Sequence, residues 1–112
     1  MQAAPSADAG VVVAAPRPVA SVRLAATLRA FASESRLELI RALAGGPRST
    51  QDLSRSLGLS PATVSRHLHV LARAGVVVAR RDGCFVFYSL RRAPVATIGR
   101  RIERYLELAE AG

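Results

Sequence analysis

Few residues in this chain can do chemistry, and most of them lie in one short segment. Ser60, Thr63, Ser65, Arg66, His67 and His69 fall within ten positions. Hydroxyls, a guanidinium and an imidazole such as that of His69 can hydrogen-bond to nucleobase edges and phosphates. They do not suit catalysis. The sequence pairs no nucleophile with a base, sets no two carboxylates on one helical face and has no glycine-rich phosphate loop. His67 and His69 would project about 200° apart on a helix, so they form no chelating pair. The one cysteine, Cys84, has no intrachain partner. A redox sensor needs an accessible thiol and commonly a resolving cysteine, so Cys84 reads as structural or incidental. No catalytic residue, metal ligand or cofactor site is expected.

The charge points to the same partner. All 16 basic residues are arginine, against 8 acidic residues, for a net +8 over 112 residues. Both ends are neutral: Arg17 offsets Asp8, and Arg100, Arg101 and Arg104 offset Glu103, Glu107 and Glu110. Residues 48–92 hold eight arginines against Asp52 and Asp82. A basic excess confined to one stretch favours a polyanion such as duplex DNA, the alternative being solvated surface charge. No apolar run approaches the ~20 residues that cross a bilayer. The chain is long enough for one domain with a core, and half of it is apolar.

The elements that must position these residues follow from spacing. Residues 1–18, rich in Ala, Pro and Val, lack a basic start and read as a flexible arm rather than an export signal, which places the protein in the cytoplasm. The domain is expected over 19–112. Leu24, Leu28 and Phe31 predict a first helix. Leu37, Ile40 and Leu43 are the expected buried face of a second, capped by Ser33 or by Ser35 with Glu38, and ended by Gly45-Gly46-Pro47. A short helix starts at the Ser49 cap and buries Leu53 and Leu57. Gly58 breaks it. Ser60-Pro61 is a cap followed by proline at the first helical position, and the helix to about Ala74 buries Val64, Leu68 and Leu71. Two short helices joined at Gly58-Leu59-Ser60 make a helix-turn-helix. Runs 76–81 and 84–90 about Asp82-Gly83 predict a hairpin with a type I′ turn. Alternation does not settle which hairpin face is buried. A last helix over about 94–110 carries the stripe Val95, Ile98, Ile102, Leu106 and Ala109, with Tyr105 beside it. The fold expected is mainly α: a winged helix-turn-helix of about five helices with a two-stranded hairpin wing.

The segments SRLELIRALAGGP, DLSRSLGLSPATVSRHLHVLARAGVV and RRDGCFVFYSL resemble the ArsR-type winged-helix regulators of bacteria over about residues 30–92. The resemblance implies a homodimer that binds an inverted-repeat operator and represses transcription until an inducer arrives; the sequence identifies no inducer. Many family members sense metals through a cysteine pair at the start of the helix-turn-helix. Those cysteines fall here at Ser49 and Gln51, poor ligands for soft metals. A second family metal site falls at Arg92, Pro94, Tyr105 and Leu108, none of them a ligand.

Within this frame the exposed face of the second helix of the pair reads the duplex. Ala62, Thr63, Ser65 and Arg66 lie nearest the bases, and Arg66 matches guanine O6 and N7. The Thr63 hydroxyl either does this or bonds back to its own helix; Arg66 either does this or joins a surface ion pair. His69 and Ser60 are expected on the DNA backbone, with Thr50 and Gln51 donating to a phosphate from a helix N-terminus. Arg80 and Arg81 are placed on flanking DNA, with Arg48, Arg91 and Arg92 as weaker electrostatic contributors. His67 reads as a half-buried structural residue. Leu24, Leu28, Ile98, Ile102, Tyr105 and Leu106 are the expected dimer interface, unless the terminal helices only cover their own domain. The competing function is a winged-helix protein-interaction module that does not read DNA.

Overall fold

In the computed structural model, which describes residues 19–111 with side chains to Leu108, five helices surround a small sheet. In chain order these are α1 (Val19–Phe31), α2 (Glu34–Leu43), β1 (Arg48–Ser49), α3 (Thr50–Leu57), α4 (Pro61–Arg73), β2 (Val77–Asp82), β3 (Phe85–Leu90) and α5 (Arg92–Ala111). The expected arm of residues 1–18 lies outside the described residues, as does the side chain of Ala109. None of the described helices is long and apolar enough to cross a membrane.

Local signals set most helix ends. Ser33, not Ser35, caps α2, its Oγ accepting the Arg36 N–H at 3.3 Å. Ser49 caps α3 by accepting the Asp52 N–H, and Ser60 caps α4 by accepting the Thr63 N–H. Between them Gly58 adopts the left-handed conformation (φ 68°, ψ 28°) that ends a helix without Cβ strain. Its N–H and that of Leu59 both bond to the Ser54 carbonyl, which closes the turn.

The core sits where α2, α3, α4 and the sheet meet. Leu39, Leu53, Val64, Leu68, Leu71 and Val76 are fully buried, with Phe31, Ile40, Leu57, Tyr88 and Leu90 packed on them. The expected inner face of α2 is corrected in one position. Leu37 is 50% exposed, whereas Leu39 is completely buried. Leu39, Leu43 and half-buried Ile40 follow an i, i+1, i+4 pattern, because α2 is enclosed on more than one side. On α1, Leu24 and Ala30 are buried while Leu28 is 40% exposed.

The sheet has three antiparallel strands in the order β1-β3-β2, one more than expected. The two residues of β1 pair with Tyr88 and Phe87, too short a stretch for alternation to register in the sequence. In the wing, Asp82 pairs with Phe85, so the two loop residues are Gly83 and Cys84 rather than Asp82 and Gly83. Only Gly83 has positive φ (65°). A type I′ turn needs positive φ at both loop positions; one at the first alone is the pattern of type II′. The register also settles the faces. Val77 and Ala79 lie opposite Leu90 and Tyr88, and this face meets the core.

Candidate nucleic-acid interface

The buried stripe of α4 orients everything else on that helix. Val64, Leu68 and Leu71 are each 0% exposed, so the opposite side must face outward. Ala62, Ser65, Arg66 and His69 are exposed there, beside exposed Ser60. Thr63 is half-buried at the edge of this face.

The first turn of α4 forms a small hydrogen-bonded cluster. Ser60 Oγ accepts from the Thr63 backbone and donates to Thr63 Oγ1 at 2.9 Å. The Thr63 oxygen also receives Arg66 Nη2 at 3.5 Å. The hydroxyl of Thr63 is thus tied to its own helix as an acceptor, while its O–H donor stays available. The Arg66 contact is long and weak, so the guanidinium is free to turn outward. Among the described residues no carboxylate lies within ion-pair distance of Arg66. The one ion pair among the described residues joins Arg55 to Asp52 at 2.7 Å on the neighbouring helix. An exposed arginine with most of its five donors unused is suited to guanine or phosphate.

The other expected contacts are spread around this turn. Gln51 is exposed and Thr50 half-buried at the start of α3. Arg80 and Arg81 are exposed on the wing, but on opposite faces: Arg80 pairs with Phe87 and Arg81 with Val86. They would reach a duplex from different sides of the ribbon. Exposed Cys84 sits at the wing tip, and beside it the rings of Phe85 and Phe87 meet at a tilt, centroids 6.3 Å apart. Arg92 is used structurally, donating to the Ala44 carbonyl at 3.1 Å, while Arg48 is half-buried on β1 and Arg91 is exposed.

Spacing alone could not reveal the role of Arg36. Its Nε and Nη2 donate to the Ala30 and Arg29 carbonyls at the end of α1, and its Nη1 lies 3.2 Å from His67 Nδ1 on α4. His67 is half-buried, flanking the core as expected. Burial, then the charges of Arg36 and Arg66, hold its pKa below the ordinary 6.5.

Of the apolar residues expected to meet a second copy, Leu28, Ile102 and Leu106 are exposed (40, 38 and 57%). Ile98 and Tyr105 are half-buried, and Leu24 is already 7% exposed within the single chain, so it offers little surface. The positions aligned with the family's cysteine pair do not fit a metal: Ser49 is buried with its Oγ committed to the α3 cap, and Gln51 supplies only an amide. Among the described residues no three His, Cys, Asp or Glu side chains gather.

Comparison with known proteins bears on the family and the fold. Residues 33–78 match the family described as bacterial regulatory protein, arsR family. The chain is 38% identical over 79 residues to the transcriptional regulator NmtR of Mycobacterium tuberculosis, a match covering 70% of this chain and just under two thirds (66%) of that protein's length. It is 36% identical over 75 residues to the transcriptional activator HlyU of Vibrio cholerae, covering 67% of this chain and 69% of the relative. The HlyU structure superposes with a TM-score of 0.64 at 33% identity, over 80% of this chain and 99% of that one. A homodimeric winged helix-turn-helix DNA-binding domain from Mycobacterium bovis superposes at 0.65 with 25% identity, over 82% of this chain and 86% of that one.

Proposed function

The chain belongs to the arsR family of bacterial regulatory proteins, and on that premise we propose that it is a homodimeric, sequence-specific DNA-binding repressor. One observation carries the reading. The first two turns of α4 offer Ala62, Ser65 and Arg66, the last held only by its weak bond to Thr63, to the outside, opposite a fully buried stripe. A rigid helix with this distribution enters the major groove with Arg66 on a guanine and Ala62 or the Thr63 methyl against a thymine methyl. Ser60, His69, Thr50 and Gln51 hold the flanking phosphates, and Arg80 and Arg81 of the wing hold DNA beyond them. Occupying the duplex is enough to block other proteins, so repression needs no further contact surface.

Two copies would meet through α1 and α5, with Leu28, Ile102 and Leu106 at the centre and Ile98, Tyr105 and Leu24 behind them. The homodimeric M. bovis domain supports assembly as a homodimer. A two-fold dimer presents two α4 helices to half-sites about one helical turn, ~34 Å, apart.

Selection of bound duplexes from a random pool, read by sequencing, tests the reading. An enriched inverted repeat supports it, and repression of a reporter carrying that repeat supports its sign. An unenriched pool with no salt-sensitive duplex binding would favour the protein-interaction reading instead.

A further inference from the structure

A cleft rich in arginine lies away from the first turn of α4. It holds about 490 Å³ and opens between α1, the last turn of α4 and α5. Arg23, Arg73, Arg101 and Arg104 line it, and among the described residues no carboxylate does. Only Arg101 has a side-chain partner in the cleft, the neutral hydroxyl of Thr27 at 3.1 Å. Arg23, Arg73 and Arg104 are exposed and screened by water, and an anion among the four guanidiniums would lower their mutual repulsion further. The rest of the wall is apolar or aromatic, from Leu24, Leu108 and the ring of Tyr105. Its volume is in the ~300–1,000 Å³ range of ligand sites, and an apolar wall with a few convergent polar groups is how such sites are built.

The cleft borders the proposed dimer surface and shares Leu24 and Tyr105 with it. On α5, Arg101, Arg104, Tyr105 and Leu108 lie at i, i+3, i+4 and i+7, one stripe. Ile98, Ile102 and Leu106 form a second stripe about 100° around the helix. Glu103 and Glu107 are exposed on the remaining side. Along α4, Arg73 lies seven positions beyond Arg66, roughly 10 Å, and one turn beyond His69.

We propose that this cleft binds a small organic anion, a carboxylate or phosphate monoester carrying an apolar body, and that the bound anion changes the affinity of the chain for DNA. Arginine pairs bidentately with such oxyanions while the body lies on Leu24, Leu108 and Tyr105. Because Arg73 belongs to the rigid helix that reads DNA, drawing it toward α1 and α5 shifts α4 relative to the wing. The regulatory half of the proposal rests on the DNA-binding reading above; anion binding does not.

The test is a calorimetric titration of the DNA-free chain with inorganic phosphate, phenyl phosphate and benzoate at constant ionic strength. Saturable binding of phenyl phosphate or benzoate, tighter than that of inorganic phosphate, is expected. Arg73→Gln and Arg104→Gln should each weaken it about tenfold, the loss of one charge-assisted hydrogen bond, with Arg104→Lys weakening it less and Arg80→Gln leaving it unchanged. No saturable binding, an equal loss in Arg80→Gln, or variants that alter only the sedimentation of the dimer would overturn the site. Binding that leaves affinity for the selected duplex unaltered would overturn its regulatory role. Intact anion binding in a chain that binds no duplex would count against the DNA-binding reading instead.

Discussion

The guanidinium of Arg36 stands 3.2 Å from Nδ1 of His67 and joins the end of α1 to the middle of α4. Arginine has only donors, so His67 must accept at Nδ1 and carry its proton on Nε2. Protonating His67 removes the acceptor and sets two cations against each other. Its lowered pKa, caused by burial and then by Arg36 and Arg66, reflects this.

The pH dependence follows with a definite sign. A histidine whose folded pKa lies below its unfolded value binds more protons unfolded than folded, so stability rises with pH in that window. Its contribution is complete above 6.5 and is lost as pH falls toward the lower folded value. Urea unfolding at several pH values below and above 6.5 should show wild-type stability falling on the acid side. His67→Gln should flatten that part of the profile; an unchanged profile would exclude His67 as its source.

The correction to α2 gives a sharp contrast in stability. Leu39→Ala removes a fully buried side chain and should cost ~2–5 kcal/mol. Leu37→Ala acts on a side chain that is half exposed and should cost well under half as much. Denaturant midpoints of the two variants measure the difference directly. Equal losses would contradict the packing described for α2.

DNA binding should separate two classes of arginine. Arg66→Ala is expected to lower the ratio of specific to non-specific affinity by ~1–3 kcal/mol, the value of a bidentate base contact. Arg81→Ala should weaken both alike and reduce the salt dependence of binding by about one unit of slope. Titrations on the selected duplex and on a scrambled one, at two or more salt concentrations, resolve these effects. If Arg66→Ala left operator preference intact, the base contact assigned to it would be wrong.

The apolar stripe of α5 predicts the assembly. Ile102→Asp and Leu106→Asp place a charge where two copies would bury it, and in a two-fold interface each substitution acts twice. Sedimentation should show a monomer with undiminished helical content, and operator affinity should fall with it. A dimer that survived both changes would place the interface elsewhere.

Much of this molecule is written in interactions only a few residues long. Ser49, Ser60-Pro61 and Gly58 mark the helix-turn-helix because a cap, a proline and a left-handed glycine each act within one turn. Val64, Leu68 and Leu71 announce the hidden side of α4, and with it the outward side, because helical periodicity is a property of the backbone. The concentration of arginine over residues 48–92 needs no structure at all.

Distant contacts decided the rest. Leu39 rather than Leu37 is buried because α2 is enclosed by neighbours its own pattern cannot name. A two-residue β1 exists only because β3 offers an open edge, and the wing turn moves to Gly83-Cys84 because strand pairing, not turn preference, chose the register. Arg36 meets His67 across thirty-one positions, and four arginines from three helices converge on one cleft. Each depends on chain segments being brought together by burial of a shared core, and a linear order of residues does not encode such separations locally.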